Sequence, residues 1–424
     1  MRYKIILSLL FVGVLSPVFA QIHFVESNLN AALEQAKAEN KLLFVDFYAT
    51  WCGPCKRMAQ DVFTLPEVGE YFNVHFICCK LDAEKEVDKS VLKTYGVTGF
   101  PCMIFMDAEG KALRKVLGMV APGILLSEAK VVTGDELPYE KQYSVYQKDK
   151  KKTELAAELL LKARYFLSGC SDYNREKWGI RIEALFNDYV KNKGLKNMIN
   201  AEDFFLITLY HPVLEKNDPI FSFVVDHYAD FLKVTDHDQV SSYIIGLNNS
   251  KIIRLCKAGN LDYKKELMHL DGKLKGVYAD VKFGNLSVKE AVGYLADATY
   301  CLYRNNENGF FENQDRYFAA LGDSLTVEDY AQPLLDLYTV CQGNLSDNAQ
   351  HKVIEWSAKA LEKQMEPAMR VRLLVTMGEC YQGIGENAKA KQALNQAFLI
   401  CGQITDARLQ AEMQAVIQQN LEKL

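Results

Sequence analysis

The stretch Leu42-Leu43-Phe44-Val45-Asp46-Phe47-Tyr48-Ala49-Thr50-Trp51-Cys52-Gly53-Pro54-Cys55-Lys56 decides the reading of this chain. Its apolar first half has the character of a buried strand, and Cys52 and Cys55 follow at the start of a helix. Two cysteines separated by two residues form a dithiol that can close into a disulfide and reopen. Cys52, at the helix N-terminus, faces free backbone N–H groups and the positive end of the helix dipole, which favour a thiolate and a lowered pKa. Cys55 lies one turn inward, close enough to displace a mixed disulfide. Cys52 is therefore the expected attacking thiol and Cys55 the resolving one. Gly53 lets the backbone turn tightly and approach a substrate, and Pro54 stiffens the first helical turn. A zinc half-site uses the same spacing but needs a second ligand pair. Cys78 and Cys79 are adjacent rather than spaced, and no spaced histidine pair follows.

Other residues extend the pattern. Asp46 stands six residues before Cys52. Lys80-Leu81-Asp82 reads as part of a second strand. Val97-Thr98-Gly99-Phe100-Pro101 leads into the strand Cys102-Met103-Ile104-Phe105, and Asp107-Ala108-Glu109-Gly110 reads as a hairpin turn before a last strand at 111–116. In order and spacing, residues 24–132 resemble thioredoxin. The segment 33–41, Val62-Phe63 and Pro66-Glu67-Val68 resemble the secreted or periplasmic thioredoxin-like branch more than cytosolic thioredoxin. The resemblance implies an α/β thioredoxin fold at the N-terminus. It makes Asp46 a buried strand carboxylate behind the dithiol, able to accept the proton of Cys55, with Lys80 holding it charged. A plain structural ion pair between two strands is the alternative. Pro101 is expected in cis, exposing the backbone of Phe100 to an extended substrate strand. Trp51, Gly53, Pro54 and Phe100 are the expected substrate groove, although Trp51 could also simply support its loop. Phe100 is bulkier than the Ile or Thr usual there, and restricted access and contact with an apolar substrate side chain both stay open. No cofactor is expected beyond the redox-active Cys52–Cys55 pair, and no metal.

At 424 residues, the chain is about four times the length of that resemblance, so at least one more domain is expected. Arg2 and Lys4, the apolar stretch 5–15, Pro17 and the small residue Ala20 read as a secretory leader over 1–20, cleaved after Ala20. Its apolar stretch is short for a membrane span, and no later segment has that length. The expected divisions are a leader at 1–20, a thioredoxin-like domain at 21–135, a linker at 136–153 and an α-helical domain at 154–424. The linker is polar and contains Lys148-Asp149-Lys150-Lys151-Lys152, read as a solvated run rather than a binding patch.

Beyond 154 apolar residues recur at helical spacing. Helices are expected near 154–168, 174–192, 201–210, 217–233, 237–257, 260–280, 287–303, 309–321, 326–342, 346–364, 368–384, 386–400 and 404–422. Leu374, Met377, Gly378 and Tyr381, followed by Ala390, Leu394 and Ala397, match the tetratricopeptide pattern. Small residues at 378 and 390 would let two helices cross closely. An all-α tetratricopeptide-like solenoid is the expectation, with an unrelated helical bundle as the alternative.

Eleven cysteines cannot all pair within one chain. Cys78 and Cys79 are expected on opposite faces of one strand, so that at most one is core and neither pairs with the other. Cys102 reads as a small core residue, with a third active-site thiol as the sharper alternative. The cysteines at 170, 256, 301, 341, 380 and 401 read as free thiols among apolar helix positions. Cys380 and Cys401 are close enough along the repeat to be considered as a pair. His211 and His227 read as ordinary turn and helix residues.

The net charge of −5 offers nothing to nucleic acid. The functional expectation is an exported, periplasmic thiol–disulfide oxidoreductase that reduces protein disulfides, with the helical domain holding partner or client proteins. Gly-Pro between the cysteines resembles reducing thioredoxins. Outside the cytoplasm, its electrons must come from a membrane or exported electron-transfer partner. After leader cleavage no stable membrane insertion is expected. The alternatives are a helical assembly factor whose thioredoxin module serves docking, and a disulfide isomerase.

Overall fold

A computed structural model describes residues 21–25, 28–85 and 89–424, so the leader read at 1–20 lies outside the described residues. The chain divides into two compact units, Met1–Gly194 and Leu195–Leu424.

The first unit opens with β1 (Phe24–Val25), α1 (Leu29–Glu39), β2 (Leu42–Tyr48), α2 (Gly53–Asp61), α3 (Pro66–His75) and β3 (Phe76–Asp82). It continues through α4 (Lys89–Thr94), β4 (Cys102–Met106), β5 (Ala112–Leu117) and α5 (Pro122–Thr133). The sheet order is β1-β3-β2-β4-β5, so β2 is central. It runs parallel to β3 and antiparallel to β4, which places Asp46 between Lys80 and Met103. A strand buried on both faces needs apolar side chains in both directions, and Leu42 to Tyr48 supplies them everywhere except at Asp46. On one face Phe44, Cys78, Met103 and Phe105 pack with Met58, Val62, Phe63 and Phe72. On the other, Leu43, Val45, Phe47, Cys79 and Cys102 pack with Ala32 and Ala36 of α1. The two cysteines of β3 do point to opposite faces, but both are buried because helices cover both sides, correcting the expectation that at most one is core. Burial drives the Cys78 thiol pKa upward.

Residues 139–148, read as linker, form α6 (Tyr139–Lys148), and α7 (Thr153–Ser168) and α8 (Asp172–Lys193) follow within the same unit. Tyr139, Gln142 and Tyr146 recur on one helical face and are buried. Tyr139 stacks on Phe166 at 4.1 Å between ring centroids, and the Trp178 ring meets it edge-on. The charged run from Lys148 to Lys152 is exposed throughout, and the division between the compact units falls after Gly194. The polar residues that suggested a linker occupy the outer face of a packed helix.

The second unit is helical: α9 (Ala201–Tyr210), α10 (Pro219–Asp226), α11 (Tyr228–Phe231), α12 (His237–Lys257), α13 (Tyr263–Asp271) and α14 (Val288–Leu302) come first. Then come α15 (Glu307–Leu321), α16 (Val327–Cys341), α17 (Asp347–Leu361), α18 (Pro367–Gly383), α19 (Asn387–Cys401) and α20 (Ala407–Leu421). The helix expected at 217–233 is broken at His227, and that expected at 260–280 ends at Asp271, before Gly272. Trp356 anchors one core, ringed by Phe310, Phe311 and Phe318 at 5.3–5.9 Å, with its indole N–H donated to Asp315. Gly378 of α18 lies so near α19 that a Cβ there would stand 2.8 Å from Leu394 Cγ. Cys380 bonds the Tyr338 hydroxyl and Cys401 bonds the Gln410 carbonyl, and both are free thiols. Among the described residues no helix is long and apolar enough to cross a membrane.

The edge strand β1 depends on one close approach. An added Cβ at Gly69 of α3 would lie 2.4 Å from the backbone carbon of Gln21. Gly69→Ala should push the 21–25 segment off α3 and destabilise the unit by about 1–3 kcal/mol in guanidinium unfolding. Gly123→Ala, with nothing within 4 Å, should not.

Candidate active site

The dithiol lies where β2 hands over to α2. Cys52 is the N-cap residue, in extended backbone (φ −73°, ψ 107°), and Gly53 and Pro54 begin the helix. Proline suits that position because its missing N–H has no helical partner there. Cys52 and Cys55 are joined in a disulfide, with Cα atoms 5.3 Å apart. The Cys55 backbone N–H donates to Cys52 Sγ at 3.1 Å. That bond and the helix terminus would both favour negative charge on Cys52 once the disulfide opens. Gly53 does not take a left-handed φ, and a Cβ on it would meet nothing within 4 Å. Its contribution is open space over the disulfide rather than a special turn.

Phe100 packs on the dithiol, and Trp51 packs on Phe100. Phe100, joined to Pro101 by a cis peptide bond, packs with Tyr48 against Ala49, Cys52 and Cys55. Trp51 is 67 % exposed, and its ring meets that of Phe100 edge-on at 6.2 Å. Its indole N–H donates to Glu84 at 3.0 Å. Glu84 is a residue that sequence reasoning misses. Nothing in its spacing marks it, since it follows β3 in an ordinary polar turn.

Asp46 lies beneath. Strand alternation puts it on the face of Phe44, the face packed by Met58 and Val62 of the α2 segment. It is 1 % exposed, and neither carboxylate oxygen has a hydrogen-bond partner. Lys80 Nζ stands 3.6 Å from Oδ2. Burial pushes the Asp46 pKa up to about 6, and the Lys80 charge offsets part of that rise. Lys80 in turn has three rings around its ammonium, Phe24 at 5.3 Å, Tyr48 at 5.1 Å and Phe63 at 5.4 Å. From sequence, Phe24 and Phe63 are indistinguishable from core aromatics.

The structure thus brings Cys52, Cys55, Phe100 and Trp51 together, with Gly53 and Pro54 between the cysteines and Pro101 next to Phe100, while Asp46 and Lys80 pair across β2 and β3. Cys102 is fully buried on the opposite sheet face, and burial raises its thiol to about 11, so it is core and not a third reactive thiol. In the second unit His211 is more than a turn residue: it bridges the Tyr243 hydroxyl (2.6 Å) and Asp218 (2.7 Å), the carboxylate that caps α10.

The N-terminal domain has recognisable relatives. A family described as Thioredoxin-like domain matches residues 29–132. Thioredoxin H4 of Arabidopsis thaliana is 36 % identical over 86 residues, 20 % of this chain and 67 % of that protein. Protein disulfide isomerase-like 5-3 of Oryza sativa subsp. japonica is 38 % identical over 82 residues, 19 % of this chain and 18 % of that protein. Thiol:disulfide interchange protein DsbD 2 of Pseudomonas aeruginosa is 31 % identical over 104 residues, 24 % of this chain and 18 % of that protein. The chain thus spans less than a fifth of the length of the latter two. Through the domain that carries Cys52 and Cys55, this chain belongs to the thioredoxin-like family.

Proposed function

We propose that this protein is an exported, periplasmic thiol–disulfide oxidoreductase that reduces disulfides in other proteins. The observation that carries the reading is the Cys52–Cys55 disulfide at the head of α2, with a buried Asp46 without hydrogen-bond partners in the strand that precedes it. In the reduced protein, the Cys52 thiolate attacks one sulfur of a substrate disulfide. A Cys52–substrate bond forms, and the other substrate sulfur leaves as a thiolate. Cys55 gives its proton to Asp46 and attacks Cys52 Sγ. The second substrate sulfur departs and takes up a proton, leaving Cys52–Cys55 oxidised. Two electrons have passed to the substrate, and a membrane or exported dithiol partner returns them.

In this reading Lys80 keeps Asp46 available as a base. Trp51, Phe100 and Pro101 line the place where an extended substrate segment lies, and the open space over Gly53 admits it. The leader-like residues 1–20 and the interchange proteins among the relatives support export. Gly-Pro between the cysteines supports the reducing direction. The helical residues beyond the thioredoxin-like domain supply a surface for partner or client proteins.

The defining test is trapping. Cys55→Ser, expressed with its leader, should accumulate mixed disulfides through Cys52 that run as adducts on non-reducing gels. Cys52→Ser should accumulate none. A trapping variant with no adducts, together with a purified protein that fails to reduce insulin, would remove the reading.

Asp46→Asn separates base from scaffold. A carboxyl whose pKa is raised on folding takes up a proton that the unfolded chain releases, so stability falls as pH rises between 3.8 and about 6. Asparagine cannot ionise. The variant should match the parent near pH 4 and exceed it at pH 7.5 by up to about 3 kcal/mol in denaturant unfolding. At pH 7.5 it should release mixed disulfides at least about 10-fold more slowly. An unchanged release rate would make Asp46 a structural residue only.

A further inference from the structure

Lys80 is held by more than Asp46. The ion pair, at 3.6 Å, is longer than a firm charge-assisted hydrogen bond. The lysine side chain is 29 % exposed, so water competes for the ammonium. Yet Nζ lies between 5.1 and 5.4 Å from three ring centroids, from three separate segments: Phe24 of β1, Tyr48 at the end of β2 and Phe63 just after α2. Each distance is inside the range over which a ring face attracts a cation. Each ring is independently anchored. Phe24 and Phe63 meet at 5.3 Å, and both lean on Phe44. The Ile22 N–H donates to the Phe63 carbonyl at 2.8 Å, tying the chain before β1 to the end of the α2 segment. Tyr48 also packs against the Cys52–Cys55 cluster.

We propose that Phe24, Tyr48 and Phe63 form an aromatic cage whose role is to hold the Lys80 ammonium against Asp46, making the three rings positioning residues of the dithiol site. The inference rests on the reading of Asp46 as the proton acceptor for Cys55. A lysine on a flexible stem beside a buried carboxylate has two choices, the carboxylate or bulk water. The rings attract the charge without neutralising it and without competing for Asp46 as hydrogen-bond acceptors. They therefore tilt that choice inward. Lys80 is the charged group that acts on Asp46 from β3. From β4 the titratable neighbour is Cys102, which stays a neutral thiol at physiological pH. From α2 the facing segment carries the disulfide, which does not titrate. With the cage opened, Lys80 spends more time in water, and Asp46 holds its proton to higher pH.

The test reads Asp46 itself, so that it does not depend on turnover. In the oxidised full-length protein, the protonated Asp46 carboxyl is followed by difference infrared titration and assigned by its loss in Asp46→Asn. Phe24→Leu should move the midpoint upward by a few tenths of a pH unit. Phe24→Tyr, which keeps a ring, should restore it. Phe63→Leu should act in the same direction, and in a Lys80→Met background neither leucine variant should shift the midpoint further. A midpoint unmoved in both leucine variants would overturn the cage. So would an equal shift in the Lys80→Met background, because the rings would then act on Asp46 by packing alone. Failure of the oxidoreductase reading would instead appear as absence of trapped adducts and of insulin reduction, with these midpoints unaffected.

Discussion

A carboxylate buried in the central strand without a hydrogen bond is the constraint around which the first unit is arranged. Desolvating an unpaired carboxylate costs several kcal/mol, and a protein normally avoids it by substitution with an apolar residue. At Asp46 every neighbour along β2 is apolar, and the sheet would be more stable with an apolar residue there too. What surrounds the carboxylate is compensation of limited strength. One lysine stands beside it at 3.6 Å, itself steadied by aromatic rings that need β1 and the end of the α2 segment in place. The short N-terminal strand β1 contributes little to the sheet in length. Its value is the ring that it places over Lys80.

The same arrangement accounts for the difference between the upper and lower layers of the site. The upper layer, Trp51, Gly53, Pro54 and Phe100, is open and holds few fixed contacts besides the Trp51–Glu84 bond and the Phe100 ring. The lower layer is closed around Asp46, whose carboxylate is cut off from water. Under the proposed function, an incoming sulfur would meet the open layer while the proton moved within the closed one, so that variation in the substrate would not reach the carboxylate.

Legibility from sequence followed the same division. Cys52 and Cys55 were readable from their spacing at a helix start, and Asp46, Lys80 and Pro101 from the resemblance of the surrounding residues to thioredoxin. Phe24, Phe63 and Glu84 were not, because their significance arises only when three or more segments converge. In a chain with 22 phenylalanines, a ring that cages a cation has the same local pattern as a ring that fills a core. The segment 139–148 escaped for a related reason. Its tyrosines are amphipathic and its intervening residues polar, so the helical stripe is faint until Phe166 and Trp178 are placed against it. Cys78 and Cys79 misled in the other direction. Alternation correctly separates their faces, but nothing in β3 alone tells that both faces are covered.

The remaining cysteines bear on selectivity among the chain's own thiols. Besides Cys52 and Cys55 the chain carries nine cysteines, none of them in a disulfide and none of them fully exposed. Under the proposed function, a dithiol that exchanges disulfides would expose every other thiol of the chain to the same chemistry. Exposure alone does not separate them from the dithiol, since Cys52 and Cys55 are themselves buried while Cys170, Cys301 and Cys341 are half-buried. Where apolar surroundings desolvate a thiol they raise its pKa, so that little thiolate exists to attack. Cys102, directly after Pro101, is the residue most at risk by position. Its side chain is turned through the sheet to the α1 face, and its pKa is driven to about 11. Cys380 is likewise raised to about 11 within the helical unit. The contrast with Cys52 is one of environment rather than residue type. Apolar neighbours disfavour a thiolate, whereas the helix terminus and backbone N–H aimed at the Cys52 sulfur would favour one once the disulfide opens. What sets the pair apart is therefore local: a helix terminus and a backbone N–H at Cys52, against the desolvated surroundings of thiols such as Cys102 and Cys380.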